Sequence, residues 1–318
     1  MDFIYNDIFL EHETGNHPEN SNRLKVFKDL KSKKIENGEK YISLIHPKGY
    51  IEHVKEFCKK GKNLDPDTIT SKKSYNAAIY AVGATITASK QKDFALVRPP
   101  GHHTSAGKAM GFCLFNNIAI ATQKLVNQGK KVAIIDFDGH FGNGTYEIFK
   151  DSDKVLYCST HQFPAYPGYG SVCEIGTEKG KGFSINMPLP PGSGDEIFIE
   201  AIKKIIKIIK QFKPDNLAIS AGFDGHISDP LLELRYSLKS FYDVGKLIKN
   251  NFKNYFAVLE GGYNLEFLPK CVYNFVDGIN GNKAKYKEQI TDSRIIALDE
   301  FNNRIDELEN NLKPYWRL

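Results

Sequence analysis

The chain has 318 residues, 41% hydrophobic and 25% charged, with 43 Lys and Arg against 38 Asp and Glu for a net charge of +5. That apolar fraction excludes disorder as the main state, and no run of ~18 apolar residues exists to cross a membrane as a helix. The 5 Cys are odd in number, widely spaced and never in a C-x-x-C pair, which argues against a disulfide framework or structural zinc and for a reducing cytoplasm.

Met1–Asp7 lacks a basic segment and a long apolar stretch, so no signal peptide is expected. Short apolar runs rich in β-branched residues predict strands at Phe94–Val97, Val132–Asp136, Val155–Ser159, Phe183–Met187, Asn216–Ser220 and Tyr255–Glu260. Helical patterns fall between and beside them at 72–90, 115–128, 194–212, 231–250 and 264–278, with a last one over Leu298–Leu312. Lys203, Lys204, Lys207 and Lys210 alternate with apolar pairs and read as the solvated face of a helix, not a nucleic-acid stripe. Strands alternating with helices predict an α/β fold: a mostly parallel open sheet with helices on both faces. No linker, repeat or low-complexity tract interrupts it, and the Pro/Gly-rich stretch 188–194 reads as a loop, so residues 1–318 are expected to form a single domain.

In such sheets ligands bind beyond the carboxyl ends of the strands. Five predicted strands deliver polar residues at that end: His102 and His103 after Arg98-Pro99-Pro100-Gly101, Asp138 and His140 after Asp136, His161, Asp224, and Tyr263 after Glu260-Gly261-Gly262. One such Asp or His serves commonly as a cap or turn residue; the set together points to a site. Asp138 and His140 are two apart and project to one side of an extended segment. With Asp224 they supply two carboxylates and one imidazole, the form of a catalytic metal site with a position open to water. His102 and His103 offer a base near neutral pH, with Asp136 and Asn143 as natural partners for the rings. Tyr263, after two glycines, offers a phenol to a developing oxyanion.

Arg98–His103, Gly111–Asn117, Asp136–Thr145, Ser159–Gln162, Ala221–Asp224 with Asp229-Pro230, and Glu260–Asn264 together resemble the histone deacetylase superfamily, in its order, over roughly residues 12–280. The likeness is closer to class II and bacterial members, which include acetylpolyamine amidohydrolases. It implies an arginase-like α/β fold with a catalytic Zn²⁺ (or Fe²⁺) on Asp138, His140 and Asp224. It implies His103 as the base activating the metal's water, oriented by Asn143, and His102 with Asp136 as electrostatic partner or proton donor. Tyr263 would polarise the amide carbonyl. Gly111, Phe112 and Tyr166 match the walls of an acyl-lysine tunnel, and Asp67 matches a rim aspartate that holds the substrate backbone. A structural K⁺ beside the zinc, and a monomeric state, are implied in the same way.

Two positions depart from the pattern. Phe141 stands where most relatives have a second His, which predicts altered packing rather than lost chemistry. Leu231 stands where polyamine-selective class II members carry an acidic gatekeeper, which favours acyl-lysine over polyamines. The expected activity is therefore metal-dependent removal of acetyl or another short acyl group from an amine, most naturally a lysine side chain. The alternatives are an acetylpolyamine amidohydrolase, a dinuclear manganese ureohydrolase, for which too few ligands exist, and an inactive acyl-lysine-binding module. No nucleic acid or membrane partner is expected.

Overall fold

The computed structural model describes residues 1–28 and 30–317. Among them, seven strands form one sheet: β1 (Phe3–Ile4), β2 (Phe94–Ala95), β3 (Val132–Asp136), β4 (Val155–Gln162), β5 (Ser184–Leu189), β6 (Asn216–Ala221) and β7 (Tyr255–Leu259). Their order is β1-β2-β7-β6-β3-β4-β5, and every pairing is parallel. β3 is buried at all five positions, which explains its unbroken apolar run: a strand covered on both faces needs no polar side.

The helices supply the cover. In Asp195–Phe212, Ile197, Phe198, Ala201, Ile202, Ile205, Ile208, Ile209 and Phe212 are buried, one stripe at helical spacing, and the helix packs against β4 and β5. Lys203, Lys207 and Lys210 point to solvent, while Lys204 is half-buried and meets Glu309 at 3.0 Å. Ser74–Gln91 packs against β2 and β7, and Asn117–Val126 against β3 and β6. Asn116 caps the latter by accepting the Ala119 amide at 3.0 Å.

Several expectations need correction. β1 and the helices Lys48–Lys60 and Asn143–Phe149 were not foreseen, and β2 is two residues long where four were expected. The helix expected over 231–250 begins at Leu238, where the Ser237 hydroxyl accepts the Lys239 amide. Residues before it pair elsewhere: the Glu233 carbonyl accepts the Gly192 amide and the Arg235 amide donates to Ser193. The helix expected from 264 begins at Phe267, after Asn264 Oδ1 accepts the Glu266 and Phe267 amides.

The chain winds outward from β3 through β4 and β5, then returns to β3's other side with β6. That reversal makes β3 and β6 the switch point of the sheet, where a crevice opens beyond their carboxyl ends. Asp136 pairs in register with Ser159 on one side and Ser220 on the other, which sets the depth of the residues that follow.

Candidate active site

The loop after β3 is fixed by bonds from its backbone amides to aspartate side chains. The Asp138 amide donates to Asp136 Oδ1 at 3.2 Å, and the His140 amide to Asp138 Oδ1 at 2.9 Å. Asp224, after β6, accepts the Gly139 amide at 2.7 Å, and Asp138 Oδ2 accepts the Gly261 amide at 2.7 Å. A Cβ on Gly261 would lie 2.5 Å from Asp224 Oδ2 and 2.6 Å from Asp138 Oδ2, so only glycine lets that amide approach.

Asp138, His140 and Asp224 are buried, and one ligand atom from each falls within 4.8 Å of the others. His140 Nδ1 stands 3.3 Å from Asp138 Oδ1 and 2.7 Å from Asp224 Oδ2. Burial disfavours an ionised Asp138, but the charges of His102 and His140 outweigh it and hold its carboxyl below the usual range. Burial, reinforced by Asp138, pushes Asp224 up. Burial opposes a charged His140, yet the two carboxylates raise it to about 10. Two buried carboxylates converging on one imidazole nitrogen need positive charge between them, and two O donors with one N donor fit a divalent ion.

His102 and His103 lie beside this cluster with ring centroids 4.1 Å apart, and His103 is 6.1 Å from His140. His102 Nδ1 is 3.2 Å from Asp136 Oδ2. Although burial opposes its charge, Asp138 and Asp136 raise it to about 10. His103 Nδ1 is 2.7 Å from Asn143 Oδ1. The Asn143 amide nitrogen faces the His103 carbonyl at 3.4 Å and Met110 Sδ at 3.5 Å, so its oxygen accepts and His103 Nδ1 carries the hydrogen. Burial, with the charges of His102 and His140, holds His103 well below its ordinary value, so it stands neutral beside a cationic neighbour.

A cavity of about 370 Å³ is lined by His103, His140 and Tyr263 together with Asp67, Gly111, Phe112, Tyr166 and Leu231. All five residues expected along the substrate path therefore face one space. Tyr166 is 40% and Leu231 39% exposed, which places them at its mouth. Gly111 has φ +55, and a Cβ there would come within 2.4 Å of the His103 ring. The Tyr263 ring meets Phe112 edge-on at 5.9 Å and lies under the Arg23 guanidinium at 5.0 Å. Burial raises its phenol well above the ordinary range, so it remains an O–H donor.

Further contributors lie outside the expected site residues. His17 and Pro18 line the cavity, with His17 set edge-on to Phe112 at 4.5 Å. The buried Glu260 accepts the Gly101 amide at 2.7 Å and the His102 amide at 3.1 Å, tying the histidine loop to the end of β7. Its position after a strand was a signal. By contrast His161 is absorbed by Ser159 Oγ and the Gly170 carbonyl, both at 2.8 Å, and His226 by Glu288 at 3.1 Å. Phe141 is fully buried, packed 4.8 Å from the His161 ring and 5.6 Å from Tyr146.

Residues 17–279 match the histone deacetylase domain model. The chain is 34% identical to a probable deacetylase of Archaeoglobus fulgidus, covering 99% of this chain and 98% of that protein. It is 31% identical to a histone deacetylase-like amidohydrolase of Pseudomonas aeruginosa, over 78% and 70% of the two chains. The HDA15 HD domain superposes with a TM-score of 0.88 at 28% identity, over 99% of this chain and 97% of that one. An acetylpolyamine aminohydrolase from Burkholderia pseudomallei gives 0.82 at 25%, over 88% and 98%. The chain belongs to the histone deacetylase family, whose members named here are deacetylases and amidohydrolases. Among the described residues, no helix is long and apolar enough to cross a membrane.

Proposed function

We propose that this chain is a zinc-dependent amidohydrolase that removes acetyl or another short acyl group from a lysine side chain. In this reading residues 1–318 act as one catalytic domain, monomeric and cytoplasmic. The observation that carries it is the buried Asp138–His140–Asp224 cluster, whose His140 lines one cavity with His103 and Tyr263. Those three residues would hold the ion, which supplies Lewis acidity toward a carbonyl and toward water. A structural K⁺ beside Asp136 is proposed from the family likeness.

His103, neutral and with Nδ1 committed to Asn143, keeps the Nε2 lone pair to take a proton from the attacking water and then returns it to the amine nitrogen as the C–N bond breaks. His102, cationic beside Asp136, stabilises negative charge as it develops and keeps its own proton at Nδ1. The Tyr263 hydroxyl donates to the amide oxygen as it gains charge. Phe112 and Tyr166 hold the aliphatic stem of the substrate and exclude water, and Asp67 receives the substrate backbone at the mouth.

A polyamine substrate is the second reading, favoured by the likeness to the Burkholderia enzyme; Leu231 offers no carboxylate to a second ammonium. A turnover panel of acetyl-lysine peptides, longer acyl-lysines and acetylpolyamines, with metal content measured in parallel, tests both. Preferred turnover of acyl-lysine with one zinc per chain is expected. Two bound metals, or tight binding of acyl-lysine without turnover, would overturn the proposal.

A further inference from the structure

Asp229-Pro230 belongs to no strand, ligates nothing in the cluster above and does not line the cavity. Yet Asp229 is 7% exposed, and its carboxylate is fully engaged with main-chain donors. Oδ2 accepts the Tyr263 amide at 2.7 Å and the Asn264 amide at 3.2 Å, while Oδ1 accepts the Leu231 amide at 3.1 Å. The carboxylate is itself held, since its own amide donates to the His226 carbonyl at 2.8 Å. Asn264 closes the arrangement by donating to the Ser228 carbonyl at 2.7 Å.

One side chain thus sets the backbone of two cavity residues from two different loops: Leu231 at the mouth and Tyr263 beside the metal cluster. Gly262, with φ +115, precedes Tyr263 in a backbone conformation that other residues rarely adopt. A carboxyl group offers two acceptor oxygens to these three backbone donors, which a side chain with one oxygen does not. Its two oxygens divide the work, one per loop.

We propose that Asp229 is a positioning residue for the deacylation reaction: through the amides of Tyr263 and Leu231 it fixes the phenol against the scissile carbonyl and the mouth against the substrate. The inference rests on the role assigned to Tyr263 above. A shift of ~1 Å in a catalytic group costs on the order of 10²-fold in rate.

The test measures kcat and KM on an acetyl-lysine peptide with zinc present, for Asp229→Ala and Asp229→Asn, each alone and combined with Tyr263→Phe. Asp229→Ala is expected to lower kcat by about 10²-fold, close to the loss from removing one oxyanion donor, and to raise KM. On a Tyr263→Phe background it should cost less than ~3-fold more, because a displaced ring without its hydroxyl has little left to lose. Asp229→Asn should recover most of kcat but not KM, since its one oxygen serves the two donors on the Tyr263 side and its amide faces Leu231. Hydrogen exchange at the Tyr263 and Leu231 amides should quicken in Asp229→Ala while zinc content holds. Should the alanine variant fail to fold, the asparagine variant carries the comparison. Losses that multiply in the double variant, or unchanged exchange at both amides, would overturn the proposal. Faster exchange at Tyr263 with full activity in Tyr263→Phe would uphold the positioning and overturn the phenol's role instead.

Discussion

Glu19 and Arg98 form an ion pair with no exposed surface on either side chain. Arg98 Nη2 donates to Glu19 Oε2 at 2.7 Å, and Arg98 also holds the Phe9 and His12 carbonyls at 3.0 and 3.1 Å. Glu19 accepts in turn from Arg23 at 3.2 Å, and Arg23 donates to the carbonyls of Glu260 at 2.6 Å and Gly262 at 2.7 Å. The chain's N-terminal segment is thereby bolted to the loop that presents Tyr263.

Burial alone would raise the Glu19 carboxyl, but the adjacent Arg98 charge and its hydrogen bonds hold it down at about 2. A depressed folded-state value means stability that is complete above the unfolded value of ~4.3 and is lost as pH falls toward 2. Glu19→Gln leaves Arg98 buried without its counter-charge and should cost about 3–5 kcal/mol at pH 7. Urea unfolding of both proteins between pH 7 and 3 checks this. The gap should narrow below about pH 4.5, and a pH-independent gap would show that the charge of Glu19 is not what stabilises.

Removal of the metal should be read first in stability. A ligand at about a thousand times its Kd stabilises the folded state by ~4 kcal/mol, a fall in Tm on the order of 10 °C once it is chelated away. Thermal unfolding with and without chelator checks it in the parent and in Asp138→Ala. The variant should show no zinc-dependent shift and no hydrolysis; a full shift in Asp138→Ala would remove that residue from the ligand set.

What was legible in the sequence follows the range of the interactions involved. β3 was placed at Val132–Asp136 because a strand buried on both faces must be apolar throughout. Asp138, His140 and Asp224 were readable as a group because strand ends in a parallel sheet converge, whatever the sequence distance between them. β1 was not readable: it is two residues long and exists only through pairing with β2. The start of 231–250 was misassigned because tertiary partners, the loop at 192–193, take the backbone groups that a helix would use. Arg23 and Asp229 act on backbone distant in sequence, so nothing local states which groups they hold, whereas Glu260 is marked by its place at the end of β7.

The Asn143 oxygen fixes which nitrogen of His103 carries the proton, and its replacement by a carboxylate tests that arrangement. Asn143→Asp keeps the shape but places a negative charge about 2.7 Å from Nδ1. Burial and the charge of His102 hold His103 well below its ordinary value. A carboxylate favours the imidazolium and raises that value, so the neutral base is lost at a higher pH than in the parent. The acid limb of kcat/KM should move upward by about 1 to 3 pH units, the range for an opposite charge at this distance. The profile of kcat/KM from the lowest pH at which the protein stays folded up to 9 checks it: activity should fall off at a higher pH in the variant than in the parent, and an identical profile would exclude His103 as the titrating base.

Leu231, exposed at the mouth, is where a single charge should redirect specificity. Two unit charges ~4 Å apart near a protein surface attract by up to about 4 kcal/mol before solvation and side-chain entropy are subtracted, and measured exposed pairs retain ~0.2–1 kcal/mol. Leu231→Glu should therefore raise kcat/KM for acetylspermidine relative to a neutral acetyl-lysine peptide by roughly 2- to 5-fold. The gain should shrink as ionic strength rises from 0.05 to 0.5 M, because the pair is open to solvent and the screening length falls below ~10 Å above 0.1 M salt. Asp67 lines the same cavity and already supplies one carboxylate, so the added charge acts beside an existing one and not in its place. Kinetics on both substrates at the two salt concentrations distinguish the effects. A salt-independent gain would trace to the shape of the mouth, and no gain would mean that the second ammonium does not reach residue 231.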